Sequence, residues 1–447
     1  MDRLNLPFRS LMQQVLRDLA GGRCASVVGL SNIGKSFLLR SLAGEEAALV
    51  FQELAGRRGL LVYVDCNQAV AASPQAFYEV VLRSALEAIA AAAPDLTVPL
   101  QEHHEAVTDA ESAFSASLAF NLALIEVCER LGQALCLLID EFDEIYIGLD
   151  ERALLNLRAL RDRFQEALVF VTATLRSLPE LRGGATEDEF AEMFGTSTYR
   201  MPALTPEEMD GFLGRVGAAP LAKETHDLCY RLSGGHPGLM VGLAQALGRM
   251  PASREPELAH ALTQEPSVRA ECLKLWTQLK PEEQADMLAL ALERESGARL
   301  PQLKRLEDLG VVREGRVFSP LFGEFVRRRS RAAEVATEGI YLDPDSGDVW
   351  VDGARIPLLT DLEYRLLQLL YERRDKLTDK YRIVTAVWGE QYLGDVDDAR
   401  VEKLVSRLRA QIEPDPVNPR YLITQRGRGY KLLSHPRLAA TPTDSVS

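Results

Sequence analysis

Two hydrophobic rhythms alternate along the N-terminal half of the chain. From Leu11 to Leu19 apolar side chains recur every three or four residues, the spacing of an amphipathic helix, and Gly21-Gly22 stops it. Ala25 to Gly29 is a short apolar run, which predicts a buried strand, followed by a turn and a helix from Lys35 through Leu42. Leu60 to Val64 predicts a second strand ending at Asp65, Leu135 to Ile139 a third, Leu168 to Thr172 a fourth and Thr198 to Met201 a fifth. Between the second and third, helical spacing covers about Gln75 to Ala92 and Ala110 to Leu131, with a proline-containing linker from Pro94 to Pro99. Strands alternating with helices imply a mainly parallel sheet covered on both faces.

From Thr205 to about Leu262 the pattern is wholly helical, broken at Ser233-Gly234-Gly235-His236-Pro237-Gly238. Pro281-Glu282-Glu283 opens another helix, with proline in the first turn and acids facing the helix dipole. Leu300 to Leu309, then Gly310 and strand-like pieces at Val311-Val312 and Val317-Phe318, predict a winged helix. Arg327-Arg328-Arg329 reads as favourable charge near the C-terminus of a helix starting at Phe322. A last module begins near Thr337 with short strands at Ile340 to Leu342, Val349 to Val351 and Arg355 to Leu358. Thr360-Asp361-Leu362-Glu363 is a capping box for a helix through Tyr371; Thr378 to Trp388 and Asp398 to Ile412 predict two more. Tyr421 to Thr424 and Tyr430 to Leu433 flank Arg426-Gly427-Arg428-Gly429 as a hairpin, and the residues from about Pro436 read as a disordered tail.

Composition narrows what such a chain can be. Its 447 residues are 47% hydrophobic and 26% charged, enough for several globular cores. The apolar runs fall far short of the roughly 18 residues that cross a bilayer, and Met1 to Phe8 lacks an export pattern, so a cytosolic protein without membrane contact is expected. The six cysteines form no CxxC pair and read as buried thiols. His103 and His104 are adjacent, in a loop-like stretch, and not spaced for a helical metal site. The net charge of -14 speaks against nucleic acid until its distribution is seen. Between Ala399 and Arg437 nine lysines and arginines stand against three acids, whereas residues 1–398 carry 42 basic and 61 acidic side chains. A basic end on an acidic body suits a chain in which one module meets phosphate.

The sharpest chemistry lies after the first strand. Gly29-Leu30-Ser31-Asn32-Ile33-Gly34-Lys35-Ser36 fits the phosphate-binding pattern G-x-x-x-x-G-K-[ST], in which glycines let backbone amides curl around phosphate, Lys35 reaches the β and γ phosphates and Ser36 meets magnesium. Gly29, Asn32, Ile33, Gly34, Lys35, Ser36 and the next residue, Phe37, are candidate nucleotide contacts. Leu137-Leu138-Ile139-Asp140-Glu141 is an apolar strand ending in two acids, so Asp140 is a second candidate magnesium ligand and Glu141 the group that polarises the attacking water. Arg176, just after the fourth strand, is a candidate sensor of the γ phosphate.

These residues resemble the STAND branch of the AAA+ related P-loop ATPases over roughly residues 1–330, including Gly235-His236-Pro237, similar to that group's G-x-P motif. The resemblance implies that His236 and Pro237 touch bound nucleotide. Residues 338–435 resemble the OmpR/PhoB-type winged-helix DNA-binding domain, through Leu358-Leu359-Thr360-Asp361-Leu362-Glu363, Ala386-Val387-Trp388-Gly389, Val405-Ser406-Arg407-Leu408-Arg409 and Gln425-Arg426-Gly427-Arg428-Gly429-Tyr430. That likeness implies a helix from Asp398 to Ile412 in the major groove presenting Arg400, Lys403 and Arg407. Arg409 could serve either face, and Thr424, Arg426 and Arg428 belong to the wing.

The expected architecture is multidomain. It has an α/β P-loop ATPase with a parallel sheet over residues 1–204, a helical subdomain over 205–262, and winged-helix (α+β) domains over 263–335 and 336–435, with the tail over 436–447. The expected function is an ATP- and Mg2+-dependent transcriptional regulator, a slow ATPase whose nucleotide state controls homo-oligomerisation and occupancy of double-stranded DNA, with room for a protein signal partner. The alternatives are a signalling or defence switch whose winged helices bind protein, and an initiator or transposition ATPase.

Overall fold

The computed structural model describes residues 6–183, 188–217, 221–247, 261–263, 265–291, 300–335, 339–342, 349–357, 359–389, 398–425 and 427–434. Arg426 and the expected tail lie outside them. The chain divides into two units, Met1–Phe325 and Val326–Ser447.

The first unit is built on a five-stranded parallel sheet in the order β2-β3-β4-β1-β5, with β1 Ala25–Val28, β2 Gly59–Asp65, β3 Ala134–Asp140, β4 Leu168–Thr174 and β5 Thr198–Arg200. β1, β3 and β4 are buried along their whole length, which is why they read as unbroken apolar runs rather than alternating ones. β4 lies between β1 and β3. Because all strands are parallel, the loops after β1, β3 and β4 leave the same edge, where open α/β sheets place their ligands.

The helices before and around the sheet are α1 Arg9–Ala20, α2 Lys35–Leu42, α3 Glu45–Ala55, α4 Pro74–Ala92, α5 Thr97–Thr108, α6 Ala113–Arg130, α7 Asp143–Gly148 and α8 Glu151–Phe164, followed by the short α9 Leu178–Leu181 and α10 Glu189–Glu192. Ser73, Ser112 and Asp150 cap α4, α6 and α8 with side-chain hydrogen bonds to the first-turn amides. The proline-containing stretch does not remain a linker: Pro99 sits in the first turn of α5, where its missing N–H costs nothing. His103 and His104 are therefore helical, and each meets a carboxylate, Glu126 at 3.0 Å and Glu79 at 3.3 Å.

The rest of this unit is helical: α11 Pro206–Arg215, α12 Lys223–Ser233, α13 Pro237–Leu247, α14 Pro266–Thr277, α15 Pro281–Ala291 and α16 Leu300–Asp308. The hairpin β6 Val312–Arg313 with β7 Arg316–Val317 follows. α17 Pro320–Val335 runs on beyond Arg329, so Arg327, Arg328 and Arg329 lie in a helix interior and not at its end as the sequence suggested.

The second unit carries a three-stranded antiparallel sheet, β10-β9-β8 (β8 Ile340–Leu342, β9 Val349–Val351, β10 Ala354–Arg355). α18 Asp361–Glu372, α19 Lys380–Val387 and α20 Asp398–Ile412 follow, then the wing β11 Leu422–Gln425 and β12 Gly429–Leu432. The Thr360 box caps α18 as expected. Leu366, Leu370, Ile383, Val401, Leu404, Leu408 and Leu432 make one core of helices and wing. Among the described residues no helix is long and apolar enough to cross a membrane.

Candidate functional site

The turn between β1 and α2 is shaped by two left-handed residues, Asn32 at φ 58° and Gly34 at φ 109°. A side chain at Gly34 would drive into the Phe8 ring, 2.7 Å from its Cβ position, so conformation and space both require glycine there. α2 starts at Gly34 with no side-chain cap, and the first amides of a helix have no intrahelical acceptor. That is a seat for an anion.

Lys35 is buried in this seat. Its ammonium donates to the carbonyls of Gly29 (2.7 Å) and Leu30 (3.2 Å). Burial pulls it below the usual lysine range, against the opposing charges of Glu141, Asp143 and Asp140. At the end of β3, Asp140 is also buried: one carboxylate oxygen accepts from the Glu141 amide (3.0 Å) and the other from the Tyr63 hydroxyl (2.7 Å). Glu141 sits at φ 51°, a strained backbone that turns its side chain into the cavity beside Lys35, and burial raises its carboxyl. Asp143 accepts from the Leu175 amide at 2.8 Å and joins the loop after β3 to the end of β4.

A cavity of about 1000 Å3 opens on Lys35 and Glu141, while the buried Asp140 does not line it. Asn32, Gly34, Lys35, Ser36, Phe37, Glu141 and Pro237 all line it, so the structure brings together most of the nucleotide contacts expected from the sequence. Gly29 and Ile33 lie behind it. Sequence reasoning missed Arg40, Phe212, Arg215 and Val216, which belong to no motif. Phe8, Phe37 and Phe212 form an edge-to-face series, 6.3 and 5.8 Å between centroids, beside the phosphate seat. A seat for an anion, an apolar wall and the hard oxygen donors of Ser36 and Asp140 fit a nucleotide with Mg2+.

Two further expected contacts, His236 and Arg176, lie elsewhere. His236 is buried against a separate cavity of about 180 Å3 behind the P-loop, lined also by Arg200, Arg313 and Phe318. Its Nδ1 accepts from the Leu239 amide (3.3 Å), and Gly234 before it cannot be replaced, because a Cβ would meet the Phe318 carbonyl at 2.1 Å. Arg176 is buried and held by Glu283 (2.9 and 2.7 Å) and the Gln278 carbonyl (3.1 Å). Gln278 in turn grips the P-loop, accepting from the Ser31 amide at 3.0 Å and donating to its hydroxyl, while Glu271 of α14 accepts from Asn32 at 2.8 Å.

In the second unit, Val401, Leu404, Val405, Leu408 and Ile412 bury one face of α20. Arg400, Lys403 and Arg407, at i, i+3 and i+7, share the exposed face. Arg407 pairs with Glu363 at 2.8 Å and reaches Thr360 at 3.3 Å, tying α20 to the start of α18. Arg409 turns inward, donating to the Leu422 carbonyl (3.0 and 2.6 Å) and the Thr424 hydroxyl (2.8 Å), so it braces the wing. Arg428 is exposed at the wing turn.

Comparison with known proteins falls on the two units separately. The family described as "Transcriptional regulatory protein, C terminal" matches residues 355–432. The uncharacterized transcriptional regulatory protein YrkP of Bacillus subtilis is 39% identical over 84 residues, 19% of this chain and 36% of that protein, so the chain covers about a third of that relative's length. Among solved structures, the DNA-binding domain of Klebsiella pneumoniae RstA in complex with the RstA box is similar at 24% identity and TM-score 0.20, covering 22% of this chain and 93% of that one. A Walker-type ATPase of Pyrococcus abyssi (14% identity, TM-score 0.43) covers 71% of this chain and 95% of its own. The ORC2 protein of Aeropyrum pernix (15%, 0.43) covers 75% and 98%. The matched stretch coincides with the helices and wing of the second unit, and the first has its own parallel sheet and P-loop. The chain thus joins an α/β unit of P-loop ATPase-like fold to a C-terminal winged-helix domain of the transcriptional-regulator, OmpR/PhoB type.

Proposed function

We propose that the protein is a transcriptional regulator that binds double-stranded DNA under the control of ATP. The observation that carries this reading is the meeting of Lys35, Ser36 and Glu141 on one cavity in a chain that also holds a transcription-regulator domain. Lys35 and the first amides of α2 hold the phosphates, Ser36 and Asp140 hold Mg2+, and Glu141 orients water. Bound Mg2+ supplies charge neutralisation between phosphate oxygens. Arg176 contributes only after leaving Glu283, so the conformation described here is a resting state with slow turnover. Nucleotide state then sets homo-oligomerisation, and linked copies occupy DNA more tightly because the second contact forms at high local concentration. The kinship with STAND proteins rests on the Walker residues and the Gly235-His236-Pro237 turn, and a signal partner acting through the first unit belongs to the same proposal.

On DNA, α20 enters the major groove with Arg400, Lys403 and Arg407, and Arg428 at the wing turn, with its sequence neighbour Arg426, meets the backbone or the minor groove. The test is a gel shift of the full chain on a selected duplex library over a salt series, with and without ATP and Mg2+, for wild type and Lys35→Ala. Salt-dependent binding that ATP strengthens in wild type alone is expected. No DNA binding under any condition would favour a protein-binding switch instead.

A further inference from the structure

The candidate magnesium ligand Asp140 is itself oriented by a side chain from the neighbouring strand. β2 and β3 run in parallel register, with Tyr63 beside Leu138 and Asp65 beside Asp140. Paired residues point to the same face of the sheet, so the Tyr63 ring lies one step upstream of Asp140 on that face and its hydroxyl spans the gap, at 2.7 Å from Oδ2. The other oxygen accepts from the Glu141 amide at 3.0 Å. Two donors on two oxygens fix the plane of the carboxylate, and each oxygen keeps a lone pair for a further partner. The ring is not held by packing alone: the Arg40 guanidinium lies 5.1 Å from its centroid, and Arg40 comes from α2 and lines the same cavity as Lys35 and Ser36. The Arg40–Tyr63–Asp140 chain therefore links the helix that holds the phosphates to the strand that holds the metal ligand. A phenylalanine would fill the same volume without donating to Asp140.

We propose that Tyr63 is a positioning residue for Mg2+, holding Asp140 in the orientation that receives the ion, with Arg40 steering the Tyr63 ring. This rests on the reading of the cavity as a nucleotide and Mg2+ site. The test is calorimetric titration of the full chain with ATP, first in EDTA and then across a MgCl2 series, for wild type, Tyr63→Phe, Asp140→Asn and the double variant. In EDTA, Tyr63→Phe is expected to bind ATP as wild type does. The MgCl2 concentration giving half of the gain in affinity should rise about 10- to 100-fold, the usual loss when a partner of a metal ligand is removed. In the Asp140→Asn background, Tyr63→Phe should cause no further shift, because its effect passes through that carboxylate. An unchanged Mg2+ midpoint in Tyr63→Phe would overturn the positioning role while leaving the site intact. A wild-type chain that fails to bind ATP, or that gains nothing from Mg2+, would overturn the site and this role with it.

Discussion

Arg176 and Glu283, 107 residues apart, hold each other through two hydrogen bonds, Nη1 to Oε1 at 2.9 Å and Nη2 to Oε2 at 2.7 Å, with both side chains buried. The pair fastens the loop after β4 to the first turn of α15, where Glu283 also accepts from the Lys280 amide at 2.8 Å. Burial works against the Glu283 charge, but the bonds to Arg176 and Lys280 and the nearby Arg305 outweigh it, leaving the carboxyl below its usual range.

Removing one partner of a buried pair strands the other. Arg176→Ala is expected to cost about 3–5 kcal/mol of stability, and the apolar double variant Arg176→Met with Glu283→Leu should recover most of it. Because Glu283 is held below its unfolded value, its contribution is complete above the normal carboxylate range and fades as pH falls through the lowered one. Denaturant unfolding of the variants checks this. A midpoint for Arg176→Ala equal to that of wild type would show that the pair holds nothing together.

His236 gives a second pH dependence at higher pH. Burial first, then the charges of Arg313 and Lys35, push its imidazole down to about 3. In the unfolded chain it titrates near 6.5, so as pH falls below that the unfolded state gains a proton that the folded state refuses, and stability is lost. Between pH 7 and 5 the loss from this group is about 2 kcal/mol. His236→Gln should flatten the unfolding profile over that interval by about this amount, and parallel profiles would place the proton sensitivity elsewhere.

Lys35 sets function against stability. Its charge is buried on two carbonyls, and burial holds its pKa below the usual value, so the ammonium is disfavoured in the folded chain. Lys35→Met keeps the stem and removes the charge. It is expected to unfold at an equal or higher denaturant concentration than wild type without nucleotide, while losing at least tenfold in ATP affinity by calorimetry. A less stable variant would mean that the lysine is a structural strut.

What the sequence made legible was whatever is local in it. The P-loop, the acidic end of β3 and the Thr360 capping box each fit within a few residues, and β1, β3 and β4 are apolar runs because a doubly covered sheet leaves them no polar face. α5 escaped because only Leu100 and Val107 of its residues are buried, which leaves almost no periodic stripe to read. Phe212 and Arg215 line the cavity from a helix far along the chain. Nothing in Thr172 to Arg176 announces a partner at Glu283. Arg409 sits beside the buried Leu408 on α20, so spacing alone leaves its direction open; what turns it inward is the Leu422 carbonyl, contributed by the wing.

That direction separates two kinds of basic residue in the second unit. Lys403 lies on the exposed face of α20, and its loss should weaken all duplexes alike and lower the salt slope of binding by about one, with no change in unfolding temperature. Arg409 satisfies the Leu422 carbonyl and the Thr424 hydroxyl, and burial lowers its pKa. Arg409→Ala leaves those groups short of a donor, so it is expected to cost about 1–3 kcal/mol of stability first and to reduce DNA affinity only through a loosened wing. Arg407 stands between them, exposed enough to reach DNA and bonded to Glu363 meanwhile. Arg407→Ala should therefore lose both affinity and a little stability. Gel shifts over a salt series, read beside thermal unfolding of the same full-length variants, distinguish the three. An Arg409→Ala variant that keeps its unfolding temperature and still loses affinity would make that residue a DNA contact and the inward bonds incidental.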